Sequence, residues 1–279
     1  MKNAMQFKAY IKKMAIEKNI SAQLVLQNYM LERLLERISK SKYSSNIILK
    51  GGFLIGAIVG IDSRTTMDLD TTIKALNVSK ENIKEIFEEI IEVDLDDEIK
   101  FNIKNVDDIR EKDEYPGIRV SLEALYPPLA VPLKVDVTNG DKITPKEIEY
   151  KFKLIFDENK EITILAYNLE TVLAEKLETI ISRSILNTRP RDYYDVYILW
   201  KLQKENIHIG TLKLALQETA KKRETINSIE SYSEILEEIE ENQNMIKQWN
   251  VYKNKFNYAS EIEFIDTCSA VRDILEKIF

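Results

Sequence analysis

Cysteine and histidine are almost absent from this sequence, which holds one of each among its 279 residues. A single cysteine cannot form an intramolecular disulfide or a cysteine-based zinc site, and this usage favours a reducing compartment. A single histidine excludes histidine-rich metal sites and leaves little room for imidazole acid–base chemistry. We expect the two residues, Cys268 and His208, to contribute to packing or to lie at the surface.

Glycine and proline are also scarce, with 7 Gly and 6 Pro in the whole chain. With 44% hydrophobic and 31% charged residues, the composition is that of a folded globular protein and excludes collagen-like and low-complexity chains. At roughly 150 residues per domain, the length suggests two domains. The residue patterns place the first domain at 1–165 and a second, helical domain at 166–279.

An excess of positive charge is missing as well, because 40 Lys and Arg face 47 Asp and Glu, a net charge of −7. No global positive field therefore attracts nucleic acid, and any contact with RNA or DNA must come from a local patch. No segment approaches the roughly 18 apolar residues of a membrane span, and the N-terminal segment lacks the apolar core of a signal peptide. We expect a cytoplasmic protein without a membrane partner.

Hydrophobic periodicity distinguishes the two halves of the chain. In the first half it predicts an amphipathic helical lead-in over 5–38, a short apolar helix over 53–61 and a capped amphipathic helix over 79–92. A short strand-like run covers 46–52, and β-branched residues around two carboxylates predict a strand over 64–73. Alternating apolar and polar residues predict further strands over 98–106, 118–122 and 133–138. Beyond residue 165 the spacing is helical, over 169–186, 192–204, 211–225 and from 262 onward. The predicted fold class is therefore α+β.

The tripeptide Asp68-Leu69-Asp70 is the sharpest local feature. In a strand, residues i and i+2 leave the same face, so both carboxylates would stand together while Leu69 points to the core. Their mutual repulsion is relieved by a divalent cation, and Mg²⁺ prefers one or two carboxylates together with the phosphates of a substrate. The alternative is an exposed surface pair that occurs by chance.

Two consecutive glycines, Gly51 and Gly52, directly follow the apolar run and begin a short helix. Glycine lets the backbone approach a ligand closely, and the amide groups at a helix N-terminus form an anion site. The alternative is a tight turn that needs positive φ. A strand–helix–strand unit would return Asp68 and Asp70 beside the glycines, and together they describe a site for a nucleoside triphosphate and its metal.

A third carboxylate, Asp136, lies in a strand whose other face carries Leu133, Val135 and Val137. On a strand that neighbours Asp68 and Asp70 it would supply the third ligand of a two-metal site, or help to deprotonate an attacking hydroxyl. A half-exposed strand residue is the alternative.

Lys176 falls within the apolar stripe of the helix that begins at Leu169, and Arg183 follows one heptad later. An inward lysine either extends to water along its stem or needs an anionic partner, for which a triphosphate would serve. Asp192 also points inward on the next helix by its spacing to Val196. It is either a capping residue of the first turn or the partner of Lys176 or Arg183.

These stretches, in this order, resemble the AbiEii/AbiGii toxin family of nucleotidyltransferases from abortive-infection and type IV toxin–antitoxin systems. The matching segments are Leu49-Lys-Gly-Gly, Arg64-Thr-Thr-Met-Asp-Leu-Asp, the strand with Asp136, Glu175-Lys176, and Arg191-Asp-Tyr-Tyr-Asp195, and they cover about residues 10–205. The resemblance implies a polymerase-β-like nucleotidyltransferase domain with a mixed sheet, followed by a helical domain, which uses Mg²⁺ and a nucleoside triphosphate.

By position, the resemblance assigns Gly51 and Gly52 to the phosphate loop, Arg64 to nucleotide binding, Asp68 and Asp70 to the metal, Lys176 to the triphosphate and Asp192 to the second conserved acid. It leaves open whether Asp136 is a ligand of the metal or a general base.

The resemblance also implies an acceptor and a partner. The acceptor would be the 3′ end of tRNA, whose modification blocks translation, and a cognate antitoxin encoded nearby would neutralise the toxin. Local basic segments at 146–153 and 221–223 could contact RNA or be ordinary solvated faces. Two other interpretations stay open: a nucleotidyltransferase that modifies a small alcohol such as an aminoglycoside, and a non-enzymatic module that binds a nucleotide.

Overall fold

The computed structural model describes residues 4–109 and 117–279. The chain divides into two compact units, one formed by Met1–Asp141 with Ile148–Ala166 and the other by Lys142–Glu147 with Tyr167–Phe279. The first unit contains the sheet, and the described part of the second unit is built from helices. No helix among the described residues is both long and apolar enough to cross a membrane.

The described residues of the first unit form four helices and seven strands. The helices are α1 (Ala4–Glu17), α2 (Ala22–Lys40), α3 (Gly51–Val59) and α4 (Lys80–Ile91). The strands are β1 (Ile47–Lys50), β2 (Asp68–Ile73), β3 (Lys100–Ile109), β4 (Gly117–Tyr126), β5 (Leu129–Asn139), β6 (Ile148–Leu154) and β7 (Asp157–Ala166).

Several boundaries differ from the sequence-based expectation, and strands β6 and β7 were not predicted. The lead-in is two helices, because Asn19 takes a positive φ of 51° and Ser21 caps α2 by accepting a hydrogen bond from the amide of Leu24. The expected strand from residue 64 was wrong at its start, since β2 begins at Asp68. Thr65 and Thr66 favour extended backbone, but the first residue with a strand partner is Asp68, which pairs with Lys134 of β5.

The strands form one mixed sheet in the order β3-β4-β5-β2-β1-β7-β6. Strands β2 and β5 pair in parallel, as do β1 and β7, while the other neighbours are antiparallel. The predicted α+β class with a mixed sheet is confirmed. The short helix α3 connects β1 to its antiparallel neighbour β2, which returns the chain to the glycines at the end of β1.

Side-chain alternation gives the centre of this sheet one apolar and one polar face. Leu69, Val135 and Val120 are fully buried on the neighbouring strands β2, β5 and β4. Helix α2 packs against β5 and β7 and contributes a row of buried leucines. Burying each such side chain stabilises the fold by roughly 1.5–3 kcal/mol. The residues between the apolar positions of β2 and β5 carry the carboxylates of the candidate site.

The second unit contains seven helices in the part of the chain that is described: α5 (Leu169–Arg183), α6 (Pro190–Gln203), α7 (Ile209–Lys222), α8 (Ile226–Glu230), α9 (Tyr232–Glu241), α10 (Gln243–Lys255) and α11 (Phe264–Ile278). Helix α5 packs on α6 and α7, and α6 packs on α11. Asn168 caps α5, and its amide group donates to the carbonyls of Thr144 and Lys146, which ties residues 142–147 to this unit.

The two rare residues have structural places in this unit. Cys268 is buried in α11. His208 is the N-cap of α7, and its Nδ1 accepts a hydrogen bond from the amide of Thr211 at 3.4 Å.

Candidate active site

The turn between β1 and α3 brings the backbone against a carboxylate. Gly51 adopts a φ of +65°, a conformation that side chains other than glycine rarely take. A Cβ atom at Gly51 would overlap Oδ2 of Asp70 and lie 2.7 Å from its Cγ. The amide of Gly52 donates to the same Oδ2 at 3.3 Å. Glycine is therefore required at position 51 both by the backbone conformation and by the approach of Asp70.

Arg64 lies against the same turn. Its side chain is 2% exposed and donates to the carbonyl of Thr65. A Cβ atom at Gly52 would lie 3.0 Å from Nη2 of Arg64 and 3.2 Å from Oγ1 of Thr66. The arginine that the family resemblance assigned to nucleotide binding thus packs beside the glycines.

Four charged residues are register partners across neighbouring strands. Asp70 of β2 pairs with Lys50 of β1 on one side and with Asp136 of β5 on the other. Asp136 in turn pairs with Arg119 of β4. Register partners place their side chains on the same face of the sheet. The two carboxylates, Asp70 and Asp136, are therefore flanked by the positive charges of Lys50 and Arg119. Asp68 stands two residues from Asp70 on the same face of β2.

The carboxylates Asp68, Asp70 and Asp136 are therefore brought together by the sheet. Asp68 and Asp70 are half-buried and Asp136 is 6% exposed. Burial, and then the nearby charge of Asp136, raise the pKa of Asp68, although Lys134 and Arg119 oppose the shift. Negative charge is therefore crowded at the start of β2, and a bound cation would relieve this repulsion.

Asp136 already has a cationic partner. Nε of Arg119 donates to its Oδ1 at 2.7 Å, and Nη2 donates to its Oδ2 at 2.8 Å. The hydrogen bond to Asp136 raises the pKa of Arg119. Within residues 4–109 and 117–279, no group of three or more His, Cys, Asp or Glu side chains is arranged to hold a metal ion.

Lys50 and Arg119 lie beside the carboxylates but were not identified as site residues from the sequence. Lys50 forms an ion pair with Asp141, and Oγ1 of Thr138 donates to the same carboxylate at 2.8 Å. The signal for Lys50 was its position directly before the glycines. For Arg119 the signal was the alternation of apolar and polar residues along β4. Its neighbours Ile118 and Val120 are buried on the apolar face, so Arg119 lies on the polar face.

Lys176 and Asp192 are brought together in the second unit. Nζ of Lys176 lies 2.5 Å from Oδ1 of Asp192 and 3.0 Å from Oδ2 of Asp195. Nε of Arg189 lies 3.1 Å from Oδ2 of Asp192. Burial lowers the pKa of Lys176, but the two carboxylates outweigh burial and the pKa is raised overall. Arg183, which the apolar stripe placed inward, is exposed.

The basic segments are partly engaged in structural contacts. Arg223 pairs with Glu178 and lies 3.7 Å from Glu175. Phe152, one of the aromatic residues interleaved in the 146–153 segment, is buried and stacks on Phe53 with ring centroids 5.4 Å apart. It is therefore a core residue, while Lys151 beside it is exposed.

Comparison with known proteins identifies the family. A family model described as the nucleotidyl transferase AbiEii toxin of type IV toxin–antitoxin systems matches residues 33–277. The chain belongs to this family, and the resemblance seen in the sequence is confirmed. The matched range includes both the glycine turn with its carboxylates and the Lys176 cluster. No curated protein matches the chain.

Solved structures share the fold. JHP933 from Helicobacter pylori is 14% identical, with 92% of each chain covered and a TM-score of 0.52. A candidate nucleotidyltransferase from H. pylori is 13% identical, with 93% of this chain and 96% of that chain covered and a TM-score of 0.52. At these identities the likeness shows the fold alone. Family and fold together support a transferase.

Proposed function

We propose that this protein is a nucleotidyltransferase toxin that transfers a nucleotide from a nucleoside triphosphate to an acceptor hydroxyl, the 3′ end of tRNA. The observation that carries the proposal is the approach of Asp70 to the glycine turn, where its Oδ2 lies 3.3 Å from the amide of Gly52. This contact supports a small site in which amides suited to phosphate stand beside a carboxylate suited to a metal ion. The family supplies the context of a toxin with an antitoxin partner.

Asp68 and Asp70 fit a divalent cation such as Mg²⁺. They are hard oxygen ligands on one face of β2, half-buried, and the raised pKa of Asp68 reflects the cost of its charge there. A bound Mg²⁺ would neutralise charge on the triphosphate and on the departing pyrophosphate. The remaining carboxylate, Asp136, is held by Arg119.

The reaction exchanges one phosphorus–oxygen bond for another. The acceptor hydroxyl gives up its proton to water as its oxygen forms a bond to the α-phosphorus, the bond from that phosphorus to the β-phosphate oxygen breaks, and pyrophosphate leaves. The glycine turn would bind phosphate oxygens through amides at the start of α3. Arg64, packed beside Gly52, would hold the turn in this shape.

Lys176 and Asp192 enter the proposal through the family resemblance as further functional residues. In the second unit they form a cluster with Asp195 and Arg189 in which two positive and two negative groups balance. The balance supports Asp192 and Asp195 as residues that hold the Lys176 ammonium in one position.

The proposal is tested by incubating the protein with total tRNA, Mg²⁺ and each labelled nucleoside triphosphate in turn. The chain offers a matched control, because Asp94-Leu95-Asp96 repeats the tripeptide of the site in an exposed loop between α4 and β3. Asp68→Asn with Asp70→Asn should abolish labelling, whereas Asp94→Asn with Asp96→Asn should leave it unchanged.

The outcomes separate the alternatives. Label on tRNA from one nucleotide, lost only in the site variant, supports the proposal and names the donor. Labelling of an aminoglycoside but not of tRNA indicates a small-molecule transferase. Nucleotide binding without transfer to either acceptor, together with toxicity that survives the site substitutions, indicates a binding module.

A further inference from the structure

Arg119 occupies both oxygens of the third carboxylate of the site. It lies on β4 as the register partner of Asp136 on β5, and its Nε and Nη2 donate at 2.7 and 2.8 Å. A two-point contact between a guanidinium and a carboxylate is among the stronger hydrogen-bonded pairs in proteins. Asp136 is 6% exposed, and a carboxylate buried to this degree needs such a partner.

The other two carboxylates are placed differently. Oδ2 of Asp70 faces the amide of Gly52 at 3.3 Å, at the outer limit of a hydrogen bond. Asp68 stands beside Lys134, its register partner, whose side chain is exposed. A divalent cation can replace the long amide contact of Asp70 and the exposed lysine beside Asp68 at little cost. Replacing the two short hydrogen bonds between Arg119 and Asp136 would cost much more.

We propose that Arg119 is a positioning residue that withholds Asp136 from divalent cations, so that Asp68 and Asp70 alone supply protein carboxylates to the metal. This inference rests on the proposed function and refines it. With Asp136 withheld, the site holds one cation from the protein's own ligands, since a two-metal site needs further carboxylates. The guanidinium remains as a fixed positive charge next to that cation.

Mn²⁺ binding, followed by electron paramagnetic resonance without nucleotide or acceptor, tests the inference directly. We expect one Mn²⁺ per chain in the wild-type protein. Asp70→Asn should weaken Mn²⁺ binding by about 10-fold or more, as loss of a metal-site contact does. Asp136→Asn alone frees the Arg119 guanidinium beside the site and should also weaken Mn²⁺ binding, so the role of Asp136 is judged from a variant that removes both charges.

Arg119→Met releases Asp136 and should tighten Mn²⁺ binding or add a second Mn²⁺. Arg183→Met, which removes an exposed arginine of α5, is the matched control and should do neither. Since Arg119→Met leaves a buried carboxylate unpaired and can unfold the protein, the double variant Arg119→Gln with Asp136→Asn is measured as well. It removes both charges and should bind Mn²⁺ as the wild type does.

Two results would overturn the inference. A loss of Mn²⁺ binding in the double variant Arg119→Gln with Asp136→Asn equal to the loss in Asp70→Asn would make Asp136 a metal ligand, which leaves the proposed transferase intact and removes only the role of Arg119. A wild-type protein that binds no Mn²⁺, or whose binding is unaffected by Asp70→Asn, would overturn both this inference and the metal-dependent part of the proposed function.

Discussion

Nζ of Lys176 in α5 lies 2.5 Å from Oδ1 of Asp192 in α6. Asp195, three residues further along α6, also reaches this ammonium because residues i and i+3 share a helix face. Pro190 starts α6, so that Asp192 stands in the first turn, where a carboxylate is also favoured by the helix dipole. The inward lysine of α5 is thus matched by inward carboxylates of α6.

Removal of the lysine should leave this cluster with unbalanced negative charge. We expect Lys176→Met to lower the free energy of unfolding by about 3–5 kcal/mol, the cost of breaking a buried ion pair on one side. Urea denaturation followed by circular dichroism measures the loss. Lys201→Met, at an exposed position of α6, should stay within about 0.5 kcal/mol of the wild type. Equal midpoints for the two variants would contradict the prediction.

Gly51→Ala should disrupt the site through the position of Asp70. Alanine at a φ of +65° is strained by about 1–2 kcal/mol, and its methyl group would overlap the Asp70 carboxylate, which must move. We expect transfer activity to fall by at least about 10-fold, since the carboxylate loses its place beside Gly52. Transfer to tRNA and thermal unfolding are measured on the same preparation.

Gly210→Ala is the control for that substitution. A Cβ atom at Gly210 would lie 3.5 Å from its nearest neighbour, an ordinary contact with His208. The variant should therefore retain activity. If Gly51→Ala kept full activity as well, the position of Asp70 would not matter for transfer.

The proximity of Asp68 and Asp70 to the glycines of the candidate site could be predicted from the sequence because it depends on local geometry. Asp68 and Asp70 are fixed on one face by strand alternation, and a helix of nine residues returns them to the glycines. The loop tripeptide Asp94-Leu95-Asp96 shows that the motif alone was insufficient. The β-branched residues after Asp70 distinguished the strand from the loop.

The cationic partners could not be predicted because they depend on strand order and register. Arg119 meets Asp136 only because β4 pairs with β5 in one particular register, 17 residues apart in sequence. Lys50 and Asp141 are 91 residues apart. A shift of one residue in the pairing of β4 with β5 would send Arg119 to the opposite face, and Asp141 lies in the loop after β5, so both contacts depend on how the whole sheet is assembled.

The single thiol provides a probe of global unfolding. Cys268 is fully buried in α11, and burial, followed by the nearby Glu240, raises its pKa to about 12. Because the thiolate is the reactive form, Cys268 should not react with a disulfide reagent at pH 8 in the native protein. In urea above the unfolding midpoint, one thiol per chain should react rapidly. Fast reaction in the absence of urea would contradict the burial of α11.

Glu32 should make stability depend on pH near neutrality. This residue of α2 is 1% exposed, and burial raises its pKa from 4.5 to about 7, although the amide of Ile155 and the guanidinium of Arg33 oppose the shift. The native state therefore holds the proton more tightly than the unfolded state. The resulting stabilisation is complete below pH 4.5 and is lost as the pH rises to about 7.

A shift of this size corresponds to about 3 kcal/mol, at roughly 1.4 kcal/mol per pH unit. Glu32→Gln cannot titrate and keeps an oxygen for the Ile155 amide. Between pH 5 and pH 8 the free energy of unfolding of the wild type should therefore fall by about 2–3 kcal/mol relative to that of Glu32→Gln, slightly less than the whole shift because the unfolded carboxyl is already mostly ionised at pH 5. Urea titrations at several pH values measure both curves. Glu85→Gln, at an exposed position of α4, should run parallel to the wild type. Should Glu32→Gln also run parallel, then Glu32 would be charged in the native state throughout this range, and Arg33 and the Ile155 amide would outweigh its burial.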